Sequence, residues 1–285
     1  MNAKLVAVIG ALGLVASASA EISSANAVGY HTINIYPGNN MFTVNFENMD
    51  DSEGYTLDQI FPGTTPGLKA QQQPTQADWI MTWDPAKGTT GGYSTQYFLY
   101  HRSSNKLNEH WVYLSGATPT AAPVKIKSGM CFWFYHNKND SITYPIQFTV
   151  AGQVEYTQSG ANITIHKGNN MIGAPFAADL DLNDLGSEFW KARYDAGEAI
   201  AAQQPTGADS ILTWNPTLGE TGGYGTQYFL YRRSTNALNY NWVYLNGATP
   251  VKAPNGFIKM GTGAWYMAKG NGFTMSIPYP YDLSK

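Results

Sequence analysis

The chain has 285 residues, a formal net charge of −3 and only 13% charged side chains, against 43% hydrophobic and 14% aromatic residues. A charge-poor, weakly acidic chain lacks the basic patches that nucleic acids and anionic membrane surfaces select, so both are excluded as partners. A single cysteine excludes an intramolecular disulfide.

In chain order, Met1–Ala20 reads as a signal peptide: Lys4, an apolar run from Leu5 to Ala16, then the small residues Ala18-Ser19-Ala20. The apolar run is shorter than the roughly 20 residues a bilayer requires, so no membrane insertion is expected. The mature chain then begins at Glu21, and the location expected is secreted or at the cell surface of a bacterium. Glu21–Ala27 is polar and could serve as a free arm that adds to a neighbour's sheet edge. Ile33 and Ile35 follow at the two-residue period of a half-buried strand, which runs into a Gly38-Asn39-Asn40 turn. The acidic stretch Asn48–Glu53 reads as a solvated loop, with weak calcium binding near Asp50 and Asp51 as its alternative.

Residues 72–119 then recur at 203–250 without a gap, identical at 34 of 48 positions. Strands are expected at Ile80–Trp83, Gln96–Tyr100, Trp111–Leu114 and Met130–Tyr135, and again at Ile211–Trp214, Gln227–Tyr231, Trp242–Leu245 and Gly263–Met267. Arg102–His110 reads as an exposed loop. Cys131, among apolar neighbours, reads as a buried structural thiol. Between the copies, Phe148–Val150 and Val154–Tyr156 are strand-like and no flexible tract intervenes, which predicts closely packed modules. The second module opens on Ile163 and Ile165 before Gly168-Asn169-Asn170, and its insertion Leu182–Gln203 is rich in Ala and Glu, as a helix would be. The fold expected is all-β: two tandem homologous β-sandwich or barrel-like domains, 21–152 and 153–285, with a short helical insertion in the second.

The duplication acts as a filter, because chemistry needed in each module should survive in both. The only acidic pair shared within the repeated block is Asp78/Asp209 and the only basic pair is Arg102/Arg233, while Asp84, Glu109, His101 and His110 are replaced by Asn215, Tyr240, Arg232 and Asn241. Both shared pairs are expected to be structural, the aspartate binding backbone amides and the arginine tying down the loop that follows it. No catalytic residue, metal ligand or cofactor is assigned: the five histidines are scattered without zinc spacing, and no shared carboxylate pair could hydrolyse a glycoside. The shared aromatics remain. Tyr93 and Tyr224, in the Thr-Gly-Gly-Tyr turns, are candidate ligand platforms with Gln96 and Gln227 beside them, whereas the other shared rings are expected in the core.

The openings Val28-Gly29-Tyr30 to Met41-Phe42, and the strand from Ala77 to Trp83, resemble motifs in uncharacterised exported bacterial β-proteins that begin with a signal peptide and a VGY…G-N-M strand. The resemblance implies export and a β-fold, and carries over no functional residue. The function expected is a non-catalytic structural, surface or matrix protein that contacts itself or other surface proteins and self-assembles. A carbohydrate-binding protein using exposed aromatics is the alternative. A glycan-active hydrolase, with Asp184 or Glu188 meeting the first module, is the second.

Overall fold

A computed structural model describes residues 28–154 and 160–281. The expected signal peptide Met1–Ala20, the arm Glu21–Ala27 and the strand residues Glu155–Tyr156 lie outside the described residues. No helix among the described residues is long and apolar enough to cross a membrane.

The first module comprises β1 (Val28–Ile35), β2 (Gly38–Thr43), β3 (Tyr55–Thr56), the one-turn α1 (Leu57–Ile60), β4 (Trp79–Asp84), β5 (Gly92–Leu99), β6 (Trp111–Ser115), β7 (Thr118–Ala121), β8 (Lys125–Ile126), β9 (Cys131–His136) and β10 (Ile146–Gln153). The second comprises β11 (Ala161–Gly173), α2 (Ser187–Asp195), β12 (Ser210–Asn215), β13 (Gly223–Leu230), β14 (Trp242–Asn246), β15 (Thr249–Lys252) and β16 (Gly263–Ile277), with short 3-10 turns at Leu182–Leu185 and Pro205–Gly207. Two six-stranded antiparallel sheets result, in the orders β2-β9-β4-β5-β6-β7 and β11-β16-β12-β13-β14-β15. The orders are the same once the long strands are divided: Ala161–His166 and Gly272–Ile277 pair as β1 and β10 do. The chain is thus all-β, with two homologous sandwich-like domains.

Alternation along β9 decides which sheet face each ring takes. Phe132 and Phe134 turn inward to Ile33, Ile35, Phe148 and Val150, while Cys131 and Trp133 turn the other way. Each module then plugs its core with a ring from its own insertion. In the first, the Thr56/Gln59 capping box starts α1 and delivers Phe61, whose ring lies 4.9 Å from Phe134 and 5.1 Å from Phe148. In the second, α2 delivers fully buried Trp190, 5.3 Å from Trp242 and 5.8 Å from Phe273. Burial of such a side chain stabilises by about 1.5–3 kcal/mol.

Two local expectations are corrected. The helix is confined to Ser187–Asp195, because Ala199 and Ala201 are buried against the core and Ala202 bridges Tyr231 in extended conformation. The Gly-Asn-Asn segments are not free turns: Gly38 begins β2, and Gly168 follows a register shift within β11. In each, the second asparagine is buried and clamps the kink. Asn40 Oδ1 accepts Tyr36 N–H at 3.0 Å while its Nδ2 donates to the Tyr36 carbonyl at 2.9 Å, and Asn170 repeats both bonds with His166 at 2.8 Å.

The outward faces of the two sheets meet, as the lack of a linker tract requires. Where the copies approach most closely, one supplies a side chain and the other none. A Cβ on Gly173 would stand 1.8 Å from Thr43 Oγ1, and one on Gly263 2.1 Å from Cys131 Sγ and 2.6 Å from Met41 Cγ. Gly263→Val should therefore cost at least about 1–3 kcal/mol through overpacking. Thermal melting should show the loss, and Cys131→Ala in the same chain should recover part of it by removing the sulfur.

Candidate functional site

The repeated Thr-Gly-Gly-Tyr sequence opens β5 and β13, and its threonine, first glycine and tyrosine each have a place at the junction. Thr90 O accepts the N–H of Asn169 at 3.0 Å, and Thr221 O accepts that of Asn39 at 2.9 Å. Gly91 and Gly222 lie against the indoles of Trp83 and Trp214, where an added Cβ would stand 2.6–2.7 Å from ring atoms. Trp83 Nε1 donates to Asn169 O at 2.7 Å and Trp214 Nε1 to Asn39 O at 2.8 Å, so each module holds the other's Gly-Asn-Asn kink. The bonds form a reciprocal pair, as a two-fold axis between the copies would generate.

The rings obey the same symmetry. Trp83 stands edge-on to Trp265 at 4.8 Å and 86°, and Trp214 to Trp133 at the same distance and angle. Tyr93 packs on Trp83 at 4.9 Å and Tyr224 on Trp214 at 5.1 Å. Trp83, Trp133, Trp214 and Trp265, expected in the module cores, instead lie between the modules. Alternation separates the two faces of a strand without saying which is the inner one.

Two clefts of about 240 Å³ each open beside these rings. One is lined by Trp83, Tyr93, Asn169, Leu212, Tyr224, Trp265 and Met267. The other is lined by Asn39, Trp79, Met81, Tyr93, Trp133, Trp214 and Tyr224. Tyr93 and Tyr224 line both, are 41% and 55% exposed, and are the most exposed of the rings there. No charged side chain lines either cleft among the described residues. Burial of part of its surface holds the Tyr93 phenol above its ordinary pKa; nearby Tyr224 adds to the rise, and the Trp133 indole N–H opposes it without reaching hydrogen-bond geometry. Gln96 and Gln227 pair across the strands with the cleft-lining Met81 and Leu212 but line neither cleft themselves. A larger opening of about 470 Å³ lies at the junction between Tyr36, Tyr135, Lys138 and Glu220. Its charges are not duplicated, since Thr89 takes the place of Glu220 in the first copy.

The aspartates of the shared polar pairs stand apart from the clefts. Asp78 is fully buried and accepts Lys69 N–H at 2.9 Å, Asn137 N–H at 2.7 Å and His136 Nδ1 at 3.0 Å; His136 Nε2 lies 2.8 Å from the Tyr144 hydroxyl. Asp209, equally buried, accepts Lys269 N–H at 2.7 Å and the Tyr266 hydroxyl at 2.9 Å. A tyrosine reached through a histidine in one module is thus reached directly in the other. Burial raises the Asp209 carboxyl above the usual carboxylate range, with these hydrogen bonds opposing the rise.

Arg102 and Arg233 do not behave as expected. Both are exposed, and their guanidiniums have no hydrogen bond or ion pair among the described residues. Asparagine closes the loops instead: Asn108 Oδ1 accepts Arg102 N–H at 2.8 Å and Asn239 Oδ1 accepts Arg233 N–H at 2.7 Å. A short side chain with its acceptor near the backbone spans such a turn with less entropy lost than a long guanidinium would. In Asn48–Glu53, read as a solvated loop with calcium binding as its alternative, the Asp51 and Glu53 carboxylates face Lys125 Nζ at 2.8 Å and Lys127 Nζ at 3.0 Å, and no cluster of metal-ligating side chains occurs among the described residues. Asp184 does not meet the first module. It lines a cavity of about 100 Å³ formed wholly by the second, beside Asp179 and Asp181. Those two carboxylates are already engaged, Asp179 by Lys259 and Met260 N–H, Asp181 by Asn183 N–H and Gly256 N–H.

Family models, curated proteins and solved structures were all compared with the chain, and none matches it.

Truncating a buried aspartate orphans several donors at about 1–3 kcal/mol each. Asp78→Ala and Asp209→Ala should each lower the melting temperature clearly, while the folded fraction of either variant keeps whatever ligand binding the clefts have. Thermal melts paired with binding isotherms check both halves. Loss of binding at unchanged stability would place these residues in a ligand site.

Proposed function

We propose that this is an exported, non-catalytic protein that binds neutral glycans in the clefts between its two modules. The observation that carries the reading is the duplicated pairing of an exposed tyrosine with a tryptophan in an uncharged cleft. Sugar rings offer apolar C–H faces edged by hydroxyls, and rings with an apolar face and a polar tip complement them. Hydrogen bonds across the junction hold the indoles in place before any ligand arrives, which reduces the entropy lost on binding. Glycoside hydrolysis by the usual route needs two carboxylates flanking the scissile bond, and the cleft linings contain none among the described residues. Export through Met1–Ala20 belongs to the same proposal. N-terminal sequencing of the secreted chain should begin at Glu21.

The mature chain should bind uncharged hexose polymers on a glycan array in preference to sialylated, sulfated or uronic-acid glycans. Tyr93→Ala and Tyr224→Ala should each weaken that binding by about tenfold, equivalent to about 1.4 kcal/mol, with the melting temperature little changed. An array without neutral hits would overturn the proposal.

Self-association is a second reading, favoured by a separate observation. Val28 and Tyr30, on β1, are 62% and 78% exposed, and Tyr30 is the most exposed large apolar side chain of the described residues. Edge pairing at β7 and β15 is disfavoured by Pro119 and Pro250, which lack an N–H to offer a neighbour. Assembly would therefore run through β1, and Tyr30→Ser should abolish any concentration-dependent association seen by sedimentation.

A further inference from the structure

The two clefts are not independent in their walls, because Tyr93 and Tyr224 line both. A ligand that moves either ring alters the other cleft as well. Nor are the clefts equal in chemistry. Trp83 and Trp214 spend their indole N–H groups on the Asn169 and Asn39 carbonyls. Trp133, only 6% exposed, has its Nε1 buried without a hydrogen-bond partner, and it lines the second cleft between the shared tyrosines and Trp214. Its counterpart Trp265, in the first cleft, has no hydrogen bond at its Nε1 among the described residues either, but that atom is not sealed from solvent as the Trp133 Nε1 is. Trp242 Nε1 also lacks a partner, but that ring is sealed in the second module's core and lines neither cleft, so it serves as a control. A buried donor left unpaired is costly to the free protein, and that cost is recovered if a ligand oxygen accepts from it.

We propose that the two clefts are halves of one composite site for a single neutral oligosaccharide, in which Tyr93 and Tyr224 serve both halves and the Trp133 N–H donates to a ligand hydroxyl at one end. The inference rests on the glycan reading above and adds stoichiometry, direction and a named donor. A desolvated donor at one end, where the other end's Trp265 N–H is open to water, breaks the pseudo-symmetry, so a chain with distinct reducing and non-reducing ends is held in one orientation.

Calorimetric titration of the full chain with neutral gluco-oligosaccharides, from disaccharide to octasaccharide, tests this. The expected result is one ligand per chain, with affinity rising with length until the ligand spans both clefts and level thereafter. Tyr93→Ala should weaken the whole isotherm and leave no residual site of wild-type affinity. Trp133→Phe keeps the ring and removes the donor, so it should weaken binding by about fivefold, the range of one hydrogen bond, without lowering the melting temperature; Trp242→Phe should leave affinity unchanged. Two equal sites per chain, a wild-type site surviving in Tyr93→Ala, or unchanged affinity in Trp133→Phe would overturn the composite site while leaving glycan binding standing. Absence of binding by the wild-type chain to any oligosaccharide would remove both.

Discussion

The junction between the two sheets rests on a reciprocal exchange: each module's tryptophan, Trp83 or Trp214, donates its indole N–H to the backbone carbonyl of the other module's Asn169 or Asn39. A partly buried indole is stabilised by an acceptor, and a backbone carbonyl in a kinked strand by a donor. Meeting both needs across the junction couples the fold of one copy to the presence of the other. The kink is itself held by Asn40 and Asn170, and the glycines beneath the indoles give them room. Five residue types of the repeat, Thr, Gly, Asn, Trp and Tyr, thereby become parts of one contact.

A junction built from two copies of one module has a difficulty at its centre, where each residue approaches its own counterpart. Two side chains of equal size cannot both occupy that space. The pairs Thr43/Gly173 and Cys131/Gly263 resolve it by keeping a side chain in the first copy and dispensing with it in the second. Divergence at these positions is therefore a packing requirement of joining the copies in one chain. It also accounts for the lone thiol, which burial pushes up to about 12 and out of ordinary reactivity.

Away from the junction the copies reach the same ends by different means. Phe61 from a one-turn helix and Trp190 from a longer one fill comparable core positions, and Asp78 reaches Tyr144 through His136 where Asp209 reaches Tyr266 directly. What was kept alike, the aromatic junction and its clefts, is the part in which both copies must fit one another. The same rigidity that joins the modules leaves Tyr93 and Tyr224 presented on fixed neighbours.

The sequence by itself determined the duplication, the all-β class, the strand positions and the prominence of Tyr93 and Tyr224, because each is local: period-two alternation, turn residues and a repeated block. It also singled out Asp78 and Asp209, whose retention in both copies follows from the backbone amides they satisfy. The rest depended on tertiary structure. Alternation along β9 and β16 places Trp133 and Trp265 opposite the inward rings, yet only the packing of sheet on sheet reveals that this outer face is covered by another module. The Gly-Asn-Asn segments read as turns because the acceptor role of an asparagine carbonyl is invisible until Trp83 or Trp214 arrives from a distant part of the chain. Arg102 and Arg233 were conserved between copies without acquiring a partner, and the loops they border are closed by Asn108 and Asn239, whose short side chains act locally. The clefts themselves are properties of two modules together, since their walls combine residues more than a hundred positions apart, and no local pattern encodes a surface that exists only after both sheets have folded and met.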